Sequence, residues 1–110
     1  WLSRREVGSV AAVPVSHGEG RFVCEEKLLG QLIRNGQIAT QYCDENGVPS
    51  MRTDVNPNGS VLAVEGITSP DGRVFGKMAH SERCGRNLYE NASGADEFDI
   101  FTSAVEYFRV

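Results

Sequence analysis

Several features that often reveal function are scarce in this sequence. It has two histidines, three cysteines and one tryptophan in 110 residues. No apolar run approaches the roughly 20 residues needed to cross a bilayer. Its first five residues, WLSRR, also lack the charged-then-apolar order of a signal peptide. We therefore expect a soluble protein of the cytoplasm.

The cysteines are too few and too irregular to define a disulfide framework. Cys24, Cys43 and Cys84 are an odd number, and no two of them form a CxxC pair. The spacing of the histidines and acids matches no zinc pattern either. We therefore expect reduced thiols and no metal.

The charge balance argues against a nucleic-acid partner. Eleven Lys and Arg are scattered among fifteen Asp and Glu, giving a net charge of -4 and a pI near 5.1. Phosphate binding needs a dense basic surface instead. The 40% hydrophobic and 24% charged content is ordinary for a small soluble domain, and we treat residues 1–110 as one domain.

Strand-like and helix-like segments alternate, which predicts an α/β sheet with helices packed on it. The apolar run at 10–16 (VAAVPVS) predicts a buried strand, which needs both faces covered as in a doubly wound sheet. A loop rich in Asn, Gly, Pro and Asp is expected at 44–60, and a hairpin turn at 70–72 (PDG). The remaining predicted strands are 37–42, 61–67 and 73–79, and the helices are 25–34 and about 97–108, the latter with an apolar stripe of Phe98, Phe101, Val105 and Phe108.

His80 and Glu82 are the strongest candidates for chemistry. If residues 67–82 are extended, side chains two apart lie on one face about 6.6 Å apart, so the carboxylate can hold the imidazole. Such a pair is the base half of a nucleophilic site, whereas Ser81 between them points to the opposite face. The pattern is also typical of ordinary surface polar residues, and that interpretation stays open.

A second pair with the same spacing is His17 and Glu19, framed by Gly18 and Gly20. Glycines allow close approach of a ligand or another chain, and Arg21 adds a donor fork suited to a carboxylate. A tight turn with solvated side chains explains the pattern equally well.

A nucleophile for His80 is not evident in the sequence. None of the three cysteines has the glycine-flanked turn between strand and helix that exposes a nucleophile on an α/β sheet. We therefore expect packed thiols, and a nucleophile outside these residues.

Four blocks in order resemble one family. They are 14–21 (PVSHGEGR), 56–60 (NPNGS), 66–73 (GITSPDGR) and 76–83 (GKMAHSER). Together they are similar to the C-terminal part of the class I glutamine amidotransferase (glutaminase) domain of the phosphoribosylformylglycinamidine synthase family. The resemblance covers the chain from about residue 10 to the last helix. It implies that residues 1–110 are a partial amidotransferase domain with a flavodoxin-like α/β sheet and flanking helices.

The family resemblance implies roles for particular residues. His80 and Glu82 would complete a Cys-His-Glu triad, while His17, Glu19 and Arg21 would serve substrate binding or an interface. The commoner form of the motif has prolines where this chain has Ala79 and Ser81. The nucleophilic cysteine of the family lies upstream of residues 14–21, so this chain alone is expected to be inactive.

The same resemblance implies a reaction and partners. Glutamine hydrolysis would supply ammonia for the ATP-dependent conversion of formylglycinamide ribonucleotide to its amidine in purine biosynthesis. ATP and magnesium would belong to the synthase region, with no cofactor in this segment. The partners would be that region and the rest of the glutaminase domain, or further copies of the isolated chain. The alternatives are a non-catalytic amidotransferase-like interaction module and a small hydrolase that uses Cys84.

Overall fold

The structure is a computed structural model that describes residues 1–15, 18–83 and 100–109, and three strands in these ranges form one sheet. The order is β1 (Ile38–Gln41), β2 (Val64–Thr68) and β3 (Phe75–Lys77), with each strand antiparallel to its neighbour. The three later strand predictions are thus confirmed as shorter strands, of which β2 ends one residue beyond its predicted end. A 3-10 turn, Val61–Ala63, replaces the beginning of the strand predicted at 61–67.

The turn between β2 and β3 has the predicted chemistry. Asp71 Oδ1 accepts hydrogen bonds from Ser69 Oγ at 2.6 Å and from the backbone N–H of Arg73 at 3.1 Å. The bond from Ser69 is the main reason why the pKa of the Asp71 carboxyl lies below its usual value, and the bond from Arg73 adds to the effect. Gly72 has a φ of 71°, which side-chain-bearing residues rarely adopt. The short connection explains why the strands are antiparallel, because parallel neighbours need a long crossover.

The strand predicted at 10–16 is wrong over residues 10–15, and residue 16 lies outside the described residues. Residues 10–15 form no strand, and Val10 and Val15 are 46% and 42% exposed. Pro14 lacks the N–H that a ladder needs. Its carbonyl instead accepts a hydrogen bond from the backbone N–H of His80 at 2.9 Å.

Helix α1, Glu26–Arg34, confirms the prediction at 25–34. Glu26 in the first turn and Arg34 in the last complement the helix dipole, and Gly36, with a φ of 66°, follows the end. Among the apolar residues of α1, Leu32 is buried, whereas Leu28 and Ile33 are exposed.

Helix α2, Ile100–Phe108, covers the described part of the helix predicted at about 97–108. Its buried residues are Ile100, Ser103 and Ala104, while Phe101, Val105 and Phe108 are exposed. The predicted apolar stripe is therefore wrong in the described residues, and Phe98 lies outside them. Small side chains at Ser103 and Ala104 let a neighbouring segment approach closely, which explains this choice of face.

The chain divides into two units, Trp1–Ser16 with Ala79–Val110 and His17–Met78. In the first, Arg4 contacts α2 twice. Its backbone N–H donates to Ser103 Oγ at 3.4 Å, and its guanidinium pairs with Glu106 at 2.8 Å. Among the described residues, no helix is long and apolar enough to cross a membrane.

In the second unit, β2 carries a buried acid, Glu65, which is only 8% exposed. Its carboxylate accepts hydrogen bonds from Thr40 Oγ1 at 2.5 Å and from the backbone N–H of Met78 at 3.0 Å. Lys77 Nζ, on a side chain 12% exposed, lies 3.3 Å away. Burial, and then the charge of Glu65, raises the pKa of Tyr42 to about 12. A charge buried this deeply is tolerated because it is both paired and hydrogen-bonded.

Candidate active site

His80 and Glu82 lie in a turn of the first unit, after β3. The backbone N–H of Arg83 donates to the carbonyl of His80 at 3.2 Å, closing a four-residue turn. The extended path expected up to Glu82 is therefore wrong at its end, since residues 81 and 82 are in the turn. With its own N–H bonded to Pro14, the His80 backbone is held on both sides.

The two side chains meet. His80 Nδ1 lies 2.6 Å from Glu82 Oε1, with side-chain exposures of 29% and 56%. The hydrogen bond from His80, followed by the backbone N–H of Glu82 itself, lowers the pKa of the Glu82 carboxyl. Glu82 is therefore ionised at neutral pH and accepts from Nδ1–H. In a neutral imidazole held in this way, Nε2 is the acceptor, which is the arrangement required of a general base.

Ser81 differs from its two neighbours in its burial. The residue is buried, at 4% exposure, and its hydroxyl makes no hydrogen bond to the residues that the structure describes. An enclosed hydroxyl cannot attack a substrate, so Ser81 is not a nucleophile. The proline of the commoner motif would fit an enclosed position without a hydroxyl to satisfy.

Two thiols lie in the described residues, and one of them is not activated. Cys24 and Cys43 are free and partly buried, and Cys84 lies outside those residues. Burial, and then the charge of Asp44, raises the pKa of the Cys43 thiol. A reactive cysteine needs a lowered pKa, so Cys43 is unsuited to attack. No group of three or more potential metal-binding side chains occurs within 1–15, 18–83 and 100–109.

The second predicted group belongs to the second unit. Glu19 and Arg21 are both exposed, whereas His17 lies outside the described residues. The two glycines next to Glu19 are held through their backbone. The side-chain amide of Asn58 donates hydrogen bonds to the carbonyl groups of Gly18 and Gly20. The structure thus brings together His80 and Glu82, and separately ties the segment carrying Glu19 and Arg21 to the loop at 56–60.

That loop has a buried hydrogen-bond network that sequence reasoning missed. Residues 56–60 (NPNGS) read as turns, yet Asn56 and Ser60 are 2% and 1% exposed. Ser60 Oγ accepts from the backbone N–H of Phe22 at 2.9 Å, and Val61 N–H donates to the Phe22 carbonyl at 3.0 Å. No local sequence signal predicts these contacts, because Phe22 and Ser60 are 38 residues apart.

Comparison with known proteins identifies the class. The sequence matches the CobB/CobQ-like glutamine amidotransferase domain over residues 1–108, so the chain belongs to this family of glutamine amidotransferases. The antiparallel sheet and two helices of the described residues are consistent with part of the class I amidotransferase fold.

The relatives are more specific. The chain is 39% identical over 94 residues to the phosphoribosylformylglycinamidine synthase subunit PurQ of Aquifex aeolicus, covering 86% of this chain and 40% of that protein. It is 36% identical over 107 residues to PurQ of Methanosarcina barkeri, covering 97% and 44%. For PurQ of Moorella thermoacetica the identity is 35% over 109 residues, covering 99% and 44%. The chain thus spans less than half the length of the curated relatives it matches.

Proposed function

We propose that the complete enzyme containing this chain hydrolyses glutamine, with His80 as general base and acid and Glu82 as its orienting carboxylate. The observation that carries the proposal is the 2.6 Å contact between His80 Nδ1 and Glu82 Oε1 in a member of the glutamine amidotransferase family. An imidazole held through Nδ1 presents Nε2 to a reacting group.

The chemistry follows from that geometry. His80 Nε2 takes the proton of a cysteine thiol while the sulfur bonds to the side-chain amide carbon of glutamine. The resulting imidazolium gives this proton to the amide nitrogen as the carbon–nitrogen bond breaks, releasing ammonia and leaving a thioester. His80 then activates water to release glutamate and restore the thiol. Glu82 stabilises the imidazolium in both halves of the reaction.

The nucleophilic cysteine is proposed to lie on polypeptide outside these 110 residues. The raised pKa of Cys43 supports this view, as do relatives that are more than twice as long as the region they share with this chain. Without such a thiol, His80 and Glu82 form an incomplete triad, so the 110-residue chain by itself is expected to be inactive.

The relatives' name suggests the complete reaction. We propose that the released ammonia passes to a synthase region, which uses ATP and magnesium to convert formylglycinamide ribonucleotide to formylglycinamidine ribonucleotide in purine biosynthesis. This enzyme would act in the cytoplasm. Glu19, Arg21 and His17 would serve glutamine binding or the interface with the synthase.

The rest of the glutaminase domain is a further proposed partner. In the described part of the sheet, β1 and β3 are outer strands, and exposed edges pair readily with other chains. The exposed apolar residues Val23 and Val74 add to this tendency. We expect the isolated 110-residue chain to self-associate or to retain the rest of the domain. A single monomeric species in concentrated sedimentation runs would contradict this expectation.

Site-directed variants of the complete enzyme test the function. We expect His80→Ala to lose at least 1,000-fold in glutaminase turnover, on the order seen when a triad member is removed. Glu82→Gln keeps the size but not the charge, and should lose less. Glu45→Gln is the matched control, because Glu45 is exposed and outside the site. Synthesis with ammonium chloride in place of glutamine should remain unchanged in all three variants.

The competing hypotheses predict other results. A non-catalytic interaction module shows no glutaminase activity in the unaltered protein. A hydrolase that uses Cys84 keeps its activity when the rest of the domain is removed and loses it in Cys84→Ala. Full activity in His80→Ala would rule out the proposed role of the histidine.

A further inference from the structure

The loop at 56–60 is rigid because it satisfies its own buried polar groups. Asn56 Nδ2 donates to the carbonyl of Ser60 at 2.9 Å, and Asn56 Oδ1 accepts from the Ser60 N–H at 3.0 Å. Gly59 between them has a φ of 70°, which suits a sharp turn. The side chain of Asn58, within this loop, reaches a segment far away in the sequence.

Asn58 forms hydrogen bonds to the segment that carries the exposed Glu19 and Arg21. Its Nδ2 donates to the Gly20 carbonyl at 3.1 Å and to the Gly18 carbonyl at a longer 3.4 Å. A primary amide has two N–H groups and can serve both acceptors. Further along the same segment, Phe22 is held by the loop through its own backbone N–H and carbonyl.

The anchored positions restrain the backbone that carries the two charged side chains. Gly18, Gly20 and Phe22 are every second residue, and the chain bends at residues 18 and 19. Glu19 and Arg21 fall between them, and their side chains are exposed. An acid and a guanidinium held on a rigid backbone suit recognition, because little conformational entropy is lost when they bind.

We propose that Asn58 is a positioning residue for glutamine use, acting through Glu19 and Arg21. The proposal rests on the glutaminase function proposed above. Because Phe22 stays anchored when the Asn58 amide is removed, the loop and segment remain folded. What is lost is the alignment of residues 18–21.

The test uses the complete enzyme with Asn58→Ala and Asn58→Asp. Aspartate keeps the size of asparagine but replaces two donors with an acceptor that faces carbonyl oxygens. We expect both variants to lose about tenfold in kcat/KM for glutamine, the scale of losing a hydrogen bond that aligns a site. Their melting temperatures should stay near that of the unaltered enzyme. Asn56→Ala, which breaks the frame itself, should lower the melting temperature clearly, and the exposed Asn46→Ala should change neither property.

A double-mutant cycle tests the route. If Asn58 acts through Arg21, adding Asn58→Ala to Arg21→Ala should lower kcat/KM for glutamine little further. Three results would each overturn the proposal. They are an unchanged kcat/KM in Asn58→Asp, a fall in melting temperature equal to that of Asn56→Ala, and additive losses of kcat/KM in the cycle. His80→Ala separates the two levels. If His80→Ala is inactive and Asn58→Ala is fully active, only the positioning role of Asn58 is rejected. If His80→Ala is active, the glutaminase function is rejected.

Discussion

Replacing Glu65 with leucine should destabilise the second unit strongly. Glu65 is only 8% exposed. Its carboxylate accepts hydrogen bonds from Thr40 and Met78 and forms an ion pair with Lys77. Hydrogen bonds to a charged group contribute about 1.5–3 kcal/mol each. Removal of one partner from a buried ion pair costs about 3–5 kcal/mol, since it strands the other charge. We therefore expect Glu65→Leu to lower the free energy of unfolding by about 3–5 kcal/mol.

A second substitution separates the ion pair from the hydrogen bonds. Glu65→Leu with Lys77→Met removes both charges at similar volume, which is often close to neutral. The Thr40 hydroxyl still loses its acceptor, so the double variant should lose only about 1–2 kcal/mol. The exposed pair of Arg52 and Asp54 is the matched control, and Asp54→Ala should cost under about 1 kcal/mol.

Urea unfolding of the complete protein measures these free energies. The reasoning predicts that the double variant is more stable than Glu65→Leu alone. A loss below about 1 kcal/mol in Glu65→Leu would mean that the buried cluster contributes little. A double variant less stable than Glu65→Leu alone would show that the charge left behind is not the cause of the loss.

Two further predictions concern the same sheet. A Cβ at Gly66 would lie 2.5 Å from Thr40 Oγ1, whereas nothing lies within 4 Å of one at Gly76. Gly66→Ala should therefore lower the free energy of unfolding by about 1–3 kcal/mol in urea titrations and Gly76→Ala should not, and equal losses would contradict this account. Burial raises the pKa of Tyr42 to about 12 from 10.0, so the folded state holds that proton more tightly. Stability should be insensitive to this group below about pH 10 and fall between pH 10 and 12; Tyr42→Phe should flatten that fall in melting curves, and an unchanged fall would refute the assignment.

Local patterns were enough to predict much of the second unit. The acids and glycine around α1 mark a helix by capping and dipole rules that need no tertiary information. The turn at Asp71 and Gly72 likewise follows from local chemistry, and it defines the hairpin of β2 and β3. Such elements are predictable because the interactions that stabilise them lie within a few residues.

Other features depend on contacts between distant residues. The apolar run that includes Val10 and Val15 resembles a strand, but a strand also needs a partner, which sequence periodicity does not supply. In α2 the bulky aromatic residues suggested the wrong face, since Ser103 and Ala104 are the ones buried. The buried acid in β2 has its lysine partner on another strand, and only the strand register brings them together.

The candidate site divides in the same way. The spacing of His80 and Glu82 predicted their contact on an extended chain, whereas the contact forms within a turn. The contacts of Asn58 could not be predicted, because its acceptors, Gly18 and Gly20, are 40 and 38 residues away in sequence. Every residue has a backbone carbonyl group, so the residue type does not indicate which carbonyl groups accept these bonds.

The central claim is that His80 and Glu82 serve a thiol outside the 110 residues, and covalent trapping tests it most directly. The complete enzyme is treated with a glutamine-mimicking electrophile, and the labelled cysteine is located by mass spectrometry. The account predicts one labelled cysteine other than Cys24, Cys43 and Cys84, with labelling strongly slowed by His80→Ala. Labelling of one of those three cysteines, or labelling at an unchanged rate in His80→Ala, would contradict it.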